Sequence, residues 1–89
     1  FTVDKEFHFN DDPCPLHGEG GLDREWGSRT FINPPYGREI GKWIEKGFNT
    51  GLFGKTCVFL LPSRTDTKWW HDYIMKADEI RFIKGRLKF

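Results

Sequence analysis

The sequence predicts an α/β fold, and three features predict it. Cys57-Val58-Phe59-Leu60-Leu61 is a continuous apolar run closed by Pro62, the pattern of a strand covered on both faces in a parallel sheet. Thr30-Phe31-Ile32 is a shorter apolar strand, stopped by Pro34-Pro35, which cannot donate to a ladder. Between them, Ile40, Trp43, Ile44 and Phe48 fall on one face of a helix over about 39–50, with Lys42, Glu45 and Lys46 elsewhere on the turn. Strand, helix, strand in that order implies layered α/β architecture with ligands outside the carboxyl ends of the strands.

The other elements follow in chain order. Phe7-His8-Phe9 alternates apolar and polar and runs into Asn10-Asp11-Asp12-Pro13, a short strand ending in a loop. Residues 13–28 are rich in Gly and Pro and read as irregular. Gly41 and Gly47 weaken the first helix by propensity alone. A second helix is expected over about 67–77, capped by Thr65 or Asp66, with Trp70, Tyr73, Ile74 and Ala77 as its apolar stripe. Ile80-Arg81-Phe82 and Leu87-Lys88-Phe89 alternate about Lys84-Gly85, which suggests a hairpin.

Composition bounds the class. The 89 residues suffice for one small domain, and 37% hydrophobic with 30% charged side chains fits a folded globular chain rather than a disordered one. No apolar run is long enough to cross a bilayer. The two cysteines, Cys14 and Cys57, make no disulfide framework, so a reduced, cytoplasmic setting is expected. Cys14 and His17 have a C-x2-H spacing, but a structural zinc site wants four ligands and His8, Cys57 and His71 are scattered; no metal is expected. Net charge is +1, unevenly spread: residues 1–25 carry seven acidic and two basic side chains, and residues 26–89 carry six acidic and twelve basic. That asymmetry suits an anionic partner for the second part, against the plainer alternative of a solvated surface.

The chemistry is concentrated in Asn33-Pro34-Pro35-Tyr36, just past a strand. An exocyclic amine on a nucleobase is a poor nucleophile because its lone pair is delocalised into the ring. Two acceptors against its N–H groups orient it and stabilise the charge that develops as it attacks a methyl group. The Asn33 side-chain oxygen and the Pro34 carbonyl can be those acceptors. Proline fixes φ, so Pro34-Pro35 makes a stiff loop, and the Tyr36 ring can stack on the base. The alternative is a rigid turn with a packed tyrosine. Ser63 and His71 have no identifiable partners for a nucleophilic triad.

Asp12-Pro13-Cys14-Pro15, Gly21-Leu22 to Trp26, Phe31-Ile32-Asn33-Pro34-Pro35-Tyr36, Trp43-Ile44, Leu60 to Thr67, Trp70-His71 and Phe82 to Phe89 occur in that order across nearly the whole chain. This order resembles the phage DNA N-6-adenine methyltransferase family. The tetrapeptide is common to several amino-methyltransferase families; the blocks Leu61–Asp66 and Lys84–Phe89 point to this one.

The resemblance implies a Rossmann-like methyltransferase sheet, minimal or incomplete, in a single partial domain spanning 1–89. It also implies S-adenosyl-L-methionine as cofactor, double-stranded DNA as partner, and the cytoplasm of a bacterial host. Asn33, Pro34, Pro35 and Tyr36 become the catalytic residues. Asp12, Pro13 and Cys14 at a strand end, together with Trp26, become the cofactor wall, with core packing as the alternative for Trp26. Tyr36, Arg64, Asp66 and Arg86 become substrate contacts, Arg64 and the basic terminus toward phosphates; for Asp66 the alternative is a helix cap. The chain departs from the usual pattern in lacking the standard glycine-rich cofactor loop; His17-Gly18-Glu19-Gly20-Gly21 does not match it. The same tetrapeptide would serve methylation of cytosine N4, an RNA base or protein glutamine, and the short length would suit a non-catalytic remnant that binds nucleic acid or a partner.

Overall fold

The computed structural model describes residues 8–13 and 21–85. Its centre is a strand–helix–strand unit: β1 (Arg29–Ile32), α1 (Ile40–Leu52) and β2 (Thr56–Phe59). β1 and β2 pair in parallel, with Thr30 opposite Cys57 and Ile32 opposite Phe59. The pairing extends past both ends, from Thr56 N–H to the Ser28 carbonyl at 2.8 Å and from Leu60 N–H to the Ile32 carbonyl at 2.9 Å. On the other edge of β1, Asp11 forms a parallel bridge to Thr30. Three parallel segments therefore lie side by side in the order Asp11, β1, β2.

The alternation of β1 sorts its side chains. Thr30 and Ile32 are fully buried on the face that meets α1, and the Thr30 hydroxyl is satisfied by the Gly27 carbonyl at 3.0 Å. Phe31 points to the opposite face, where its ring lies 5.5 Å from that of Phe9. α1 answers with Ile40, Trp43, Ile44 and Gly47 buried. The expected Phe48 is only half-buried and packs instead on Tyr73, 5.3 Å away. Gly47 has a packing reason to be there, because a Cβ on it would stand 2.2 Å from the Phe59 ring. The core cluster is Trp26, Ile32 and Trp43, flanked by Leu22, Cys57 and Phe59. Trp26 and Trp43 stack with ring centroids 6.1 Å apart, and Trp26 Nε1 donates to the Gly21 carbonyl at 2.7 Å.

α2 (Lys68–Asp72) follows, then a 3-10 turn over Ile74–Lys76. Several expectations need correction here. The helix expected over 67–77 breaks at Tyr73, whose backbone leaves helical values (φ −125°, ψ −49°) where its ring reaches Phe48. The cap is Thr67 rather than Thr65 or Asp66: its side chain accepts from Trp70 N–H at 3.3 Å. β2 was expected to be covered on both faces, yet Cys57, Val58 and Phe59 are half-buried: helices on both faces, which such cover needs, are not seen among the described residues. The first strand contact falls at Asn10–Asp11 rather than at Phe7–Phe9, Phe7 lying outside the described residues. Ile80–Phe82 is not in a strand; the other half of the expected hairpin, Leu87–Phe89, lies outside the described residues. The result is a small α/β unit with a parallel sheet; helices on both faces, as in a full Rossmann-type sheet, are not seen among the described residues.

Candidate active site at the carboxyl ends of the strands

Each of the three parallel segments ends on a proline: Asp12-Pro13, Asn33-Pro34 and Leu61-Pro62. A proline has no N–H to give the ladder, so each segment loses a donor near its carboxyl end. The register aligns these ends. Asp11 is opposite Thr30 and Phe59 is opposite Ile32, so the Asp12-Pro13 step, Asn33 and Leu60–Leu61 share one edge of the sheet. That edge is where open parallel sheets bind ligands.

Asn33 follows β1 directly and is half-buried; Pro34 is buried and Pro35 exposed. The Asn33 amide makes no hydrogen bond among the described residues, which leaves its oxygen and nitrogen uncommitted. Tyr36 is 58% exposed and pairs with no other ring among the described residues, so the packed-tyrosine arrangement is not the one found. Gly37 then turns the chain with φ +145°, a value that disfavours any side chain, and the Ile40 N–H bonds back to its carbonyl to start α1. An exposed ring and an uncommitted amide are thus held between a strand and a helix.

At the neighbouring strand end, Asp12 is exposed and Pro13 buried. Pro13 is pinned from the side: a Cβ on Gly21 would stand 2.1 Å from the Pro13 carbonyl oxygen. The carboxylate that builds structure here is Asp11, one residue earlier. It accepts both arms of the Arg24 guanidinium at 2.7 and 2.8 Å and the Gly27 N–H at 2.8 Å. Hydrogen bonding from Arg24 holds its carboxyl below the usual aspartate range, and the same contact raises the Arg24 pKa. Sequence reasoning missed this clasp. Its available signal was the Asp11-Asp12 doublet, of which a strand end can turn only one member toward the 21–28 segment.

Other assigned residues divide. Trp26 is 1% exposed and packs in the core with Ile32 and Trp43, and it is also among the residues that line an open groove along α1. Arg64 and Asp66 are exposed on the loop after β2, on the same side as Asn33. Cys14 and Arg86 lie outside the described residues, as does the His17–Gly20 stretch. An open groove lined by Leu22, Arg24, Lys42, Lys46 and Phe53 runs along α1 and includes none of Asn33–Tyr36. Among the described residues no three His, Cys, Asp or Glu side chains cluster as a metal site, and no helix is long and apolar enough to cross a membrane.

Neither the curated proteins nor the solved structures contain a match to the chain. A family model does match, over residues 16–89, a span that includes Asn33–Tyr36, Arg64, Asp66 and Arg86 and begins after Asp12–Cys14. That model is DNA N-6-adenine-methyltransferase (Dam), and the chain belongs to this family.

Proposed function

We propose that the chain transfers a methyl group from S-adenosyl-L-methionine to the N6 amine of adenine in double-stranded DNA, with the base flipped onto Asn33-Pro34-Pro35-Tyr36. The observation that carries this reading is the pairing of an uncommitted, half-buried Asn33 amide with an exposed Tyr36 ring at the carboxyl end of β1. The target amine is buried in the base stack of a duplex, so the nucleotide must be extruded before the loop can reach it. Asn33 Oδ1 and the Pro34 carbonyl oxygen then accept from its two N–H groups. Both acceptors gain strength as positive charge grows on the nitrogen, which is when stabilisation accelerates the step. Tyr36 holds the base by its face, and because it is exposed it is reachable without disturbing the core.

The strand ends also suit the cofactor in donor chemistry. Asp12 offers an exposed carboxylate to hydroxyl donors such as a ribose, and buried Pro13, held by Gly21, fixes the backbone from which it projects. Cys14 adjoins this step. When bound, the sulfonium supplies a strongly electrophilic methyl group, so no general base is needed before attack, and the amine proton leaves to solvent afterwards. Arg64 and Asp66 on the adjacent strand end contact the substrate, and Arg86 follows the DNA backbone; a bacterial host cytoplasm is the setting implied.

The test is product identity. The full chain is incubated with duplex DNA and methyl-labelled S-adenosyl-L-methionine, and the DNA is digested to nucleosides. Label in N6-methyldeoxyadenosine is the expected result. Label in N4-methyldeoxycytidine, in RNA or protein only, or in nothing, contradicts the proposal.

A further inference from the structure

The loop from Pro62 to Thr67 is tied to itself. Arg64 N–H donates to the Pro62 carbonyl at 2.9 Å, and the Arg64 carbonyl accepts both the Thr67 N–H at 3.2 Å and the Thr67 hydroxyl at 2.7 Å. Thr67 also caps α2, and α2 is anchored by Trp70, 6% exposed. One carbonyl in the middle of the loop, that of Thr65, is held from further along the chain. His71 Nε2 lies 2.8 Å from it. A carbonyl has no proton to give, so Nε2 must carry the hydrogen and donate.

The side chains this loop displays are in the opposite condition. Arg64 and Asp66 are exposed, and neither side chain makes a hydrogen bond or ion pair among the described residues. A surface loop whose Pro62, Arg64 and Thr65 carbonyls are committed while its charges are unspent is built to present those charges.

We infer that His71 is a positioning residue for DNA: by donating Nε2–H to the Thr65 carbonyl it fixes the turn that presents Arg64 to a phosphate of the bound strand. This rests on the reading that the chain acts on DNA. Preorganisation of this kind works through the bound state, because a loop already ordered loses less freedom when it binds. A guanidinium is well matched to a phosphate, since its fork can donate two parallel hydrogen bonds.

The experiment uses the full chain, a fluorescent duplex and three variants: His71→Ala, His71→Gln and Arg64→Ala. Glutamine places an amide nitrogen near the position of imidazole Nε2 and can keep the bond. Loss of one hydrogen bond predicts that His71→Ala weakens DNA binding about two- to tenfold. Amide exchange at Arg64 and Thr67 should accelerate in the same variant, while β1 and β2 amides and affinity for S-adenosyl-L-methionine stay as in the wild type. His71→Gln should restore both readouts. In the double variant, His71→Ala should add little to Arg64→Ala, because the two act on one contact. The inference is overturned if His71→Ala binds DNA as the wild type does although its loop amides exchange faster. It is equally overturned if cofactor affinity falls by the same factor as DNA affinity, or if the losses of the double variant simply multiply. A wild type that binds DNA but never methylates it would refute the proposed reaction and leave this positioning role standing.

Discussion

Gly47→Ala is a sharp test of how α1 sits on the sheet. The new methyl carbon would stand 2.2 Å from Phe59 Cε2 and 2.3 Å from Cζ, against an ordinary contact of about 3.5–4.0 Å between carbons. The ring would have to retreat by more than an ångström, and a buried neighbour closes one side of it. Phe59 is tilted against Trp26 at 6.2 Å between centroids, and Trp26 is 1% exposed. Overpacking of this kind costs about 1–3 kcal/mol, and backbone-mounted atoms against a ring argue for the upper end. Alanine gives back about 1 kcal/mol of helix propensity. The net loss is then roughly 2 kcal/mol, or a fall in Tm of about 8–16 °C for a domain of this size. Gly51→Ala is the internal control. It lies in the same helix, its Cβ would meet nothing within 4 Å, and it should raise Tm slightly. Thermal unfolding followed by circular dichroism reads both. A Gly47→Ala protein as stable as wild type, or more so, would mean that α1 does not rest on β2 in this register.

Three further outcomes follow from the site and its surroundings. Asp11 is held ionised by Arg24, so its folded pKa lies below its unfolded one; its stabilisation is complete above the ordinary aspartate value of about 4 and drains away as pH falls through the lowered value. Asp11→Asn should flatten that part of the acid limb when urea midpoints are measured against pH, and an unchanged limb refutes the clasp. Burial pushes the Cys57 thiol up to about 11, so iodoacetamide at mildly alkaline pH should label it only after unfolding. The sign also means that this contribution to stability is present below the ordinary thiol value of about 8.5 and is lost as pH rises through the raised one. Tyr36→Phe should methylate nearly as well as wild type, whereas Tyr36→Ala should lose about 1–3 kcal/mol of base stacking with little change in Tm, since the ring is 58% exposed; equal losses for both substitutions argue against stacking.

The parts of the fold that were legible in the sequence are those set by short-range pattern. Thr30–Ile32 and Cys57–Phe59 declare themselves as strands by apolar runs ended by proline, and α1 by its 3.6-residue period. What was not legible depends on neighbours. Gly47 counts against a helix by propensity, yet the contact that favours it is with a strand a dozen residues away. Trp26 reads equally as ligand platform or core, and only the stacking on Trp43 places it inside. The clasp of Asp11 with Arg24 spans an irregular stretch whose path no periodicity specifies, so the sequence pointed to Asp12 while Asp11 makes the bonds. Thr65 and Asp66 are both good caps in composition; Thr67 caps because the loop's own hydrogen bonds decide where the first helical turn begins. At the candidate site the tetrapeptide stands out in the sequence because two prolines, an amide and an aromatic at a strand end form an unusual combination.

The most direct test of the central claim is the rate of adenine methylation by Asn33→Ala, measured with its melting temperature and its affinity for S-adenosyl-L-methionine on the same samples. Asn33 is uncommitted to the fold among the described residues, so the variant should melt with the wild type and bind cofactor as well. Removing one preorganised acceptor should lower kcat by about a hundredfold or more. Near-normal turnover by a folded Asn33→Ala protein, or a loss of rate fully explained by lost cofactor affinity, would contradict the assignment of this loop as the place where the adenine amine is held.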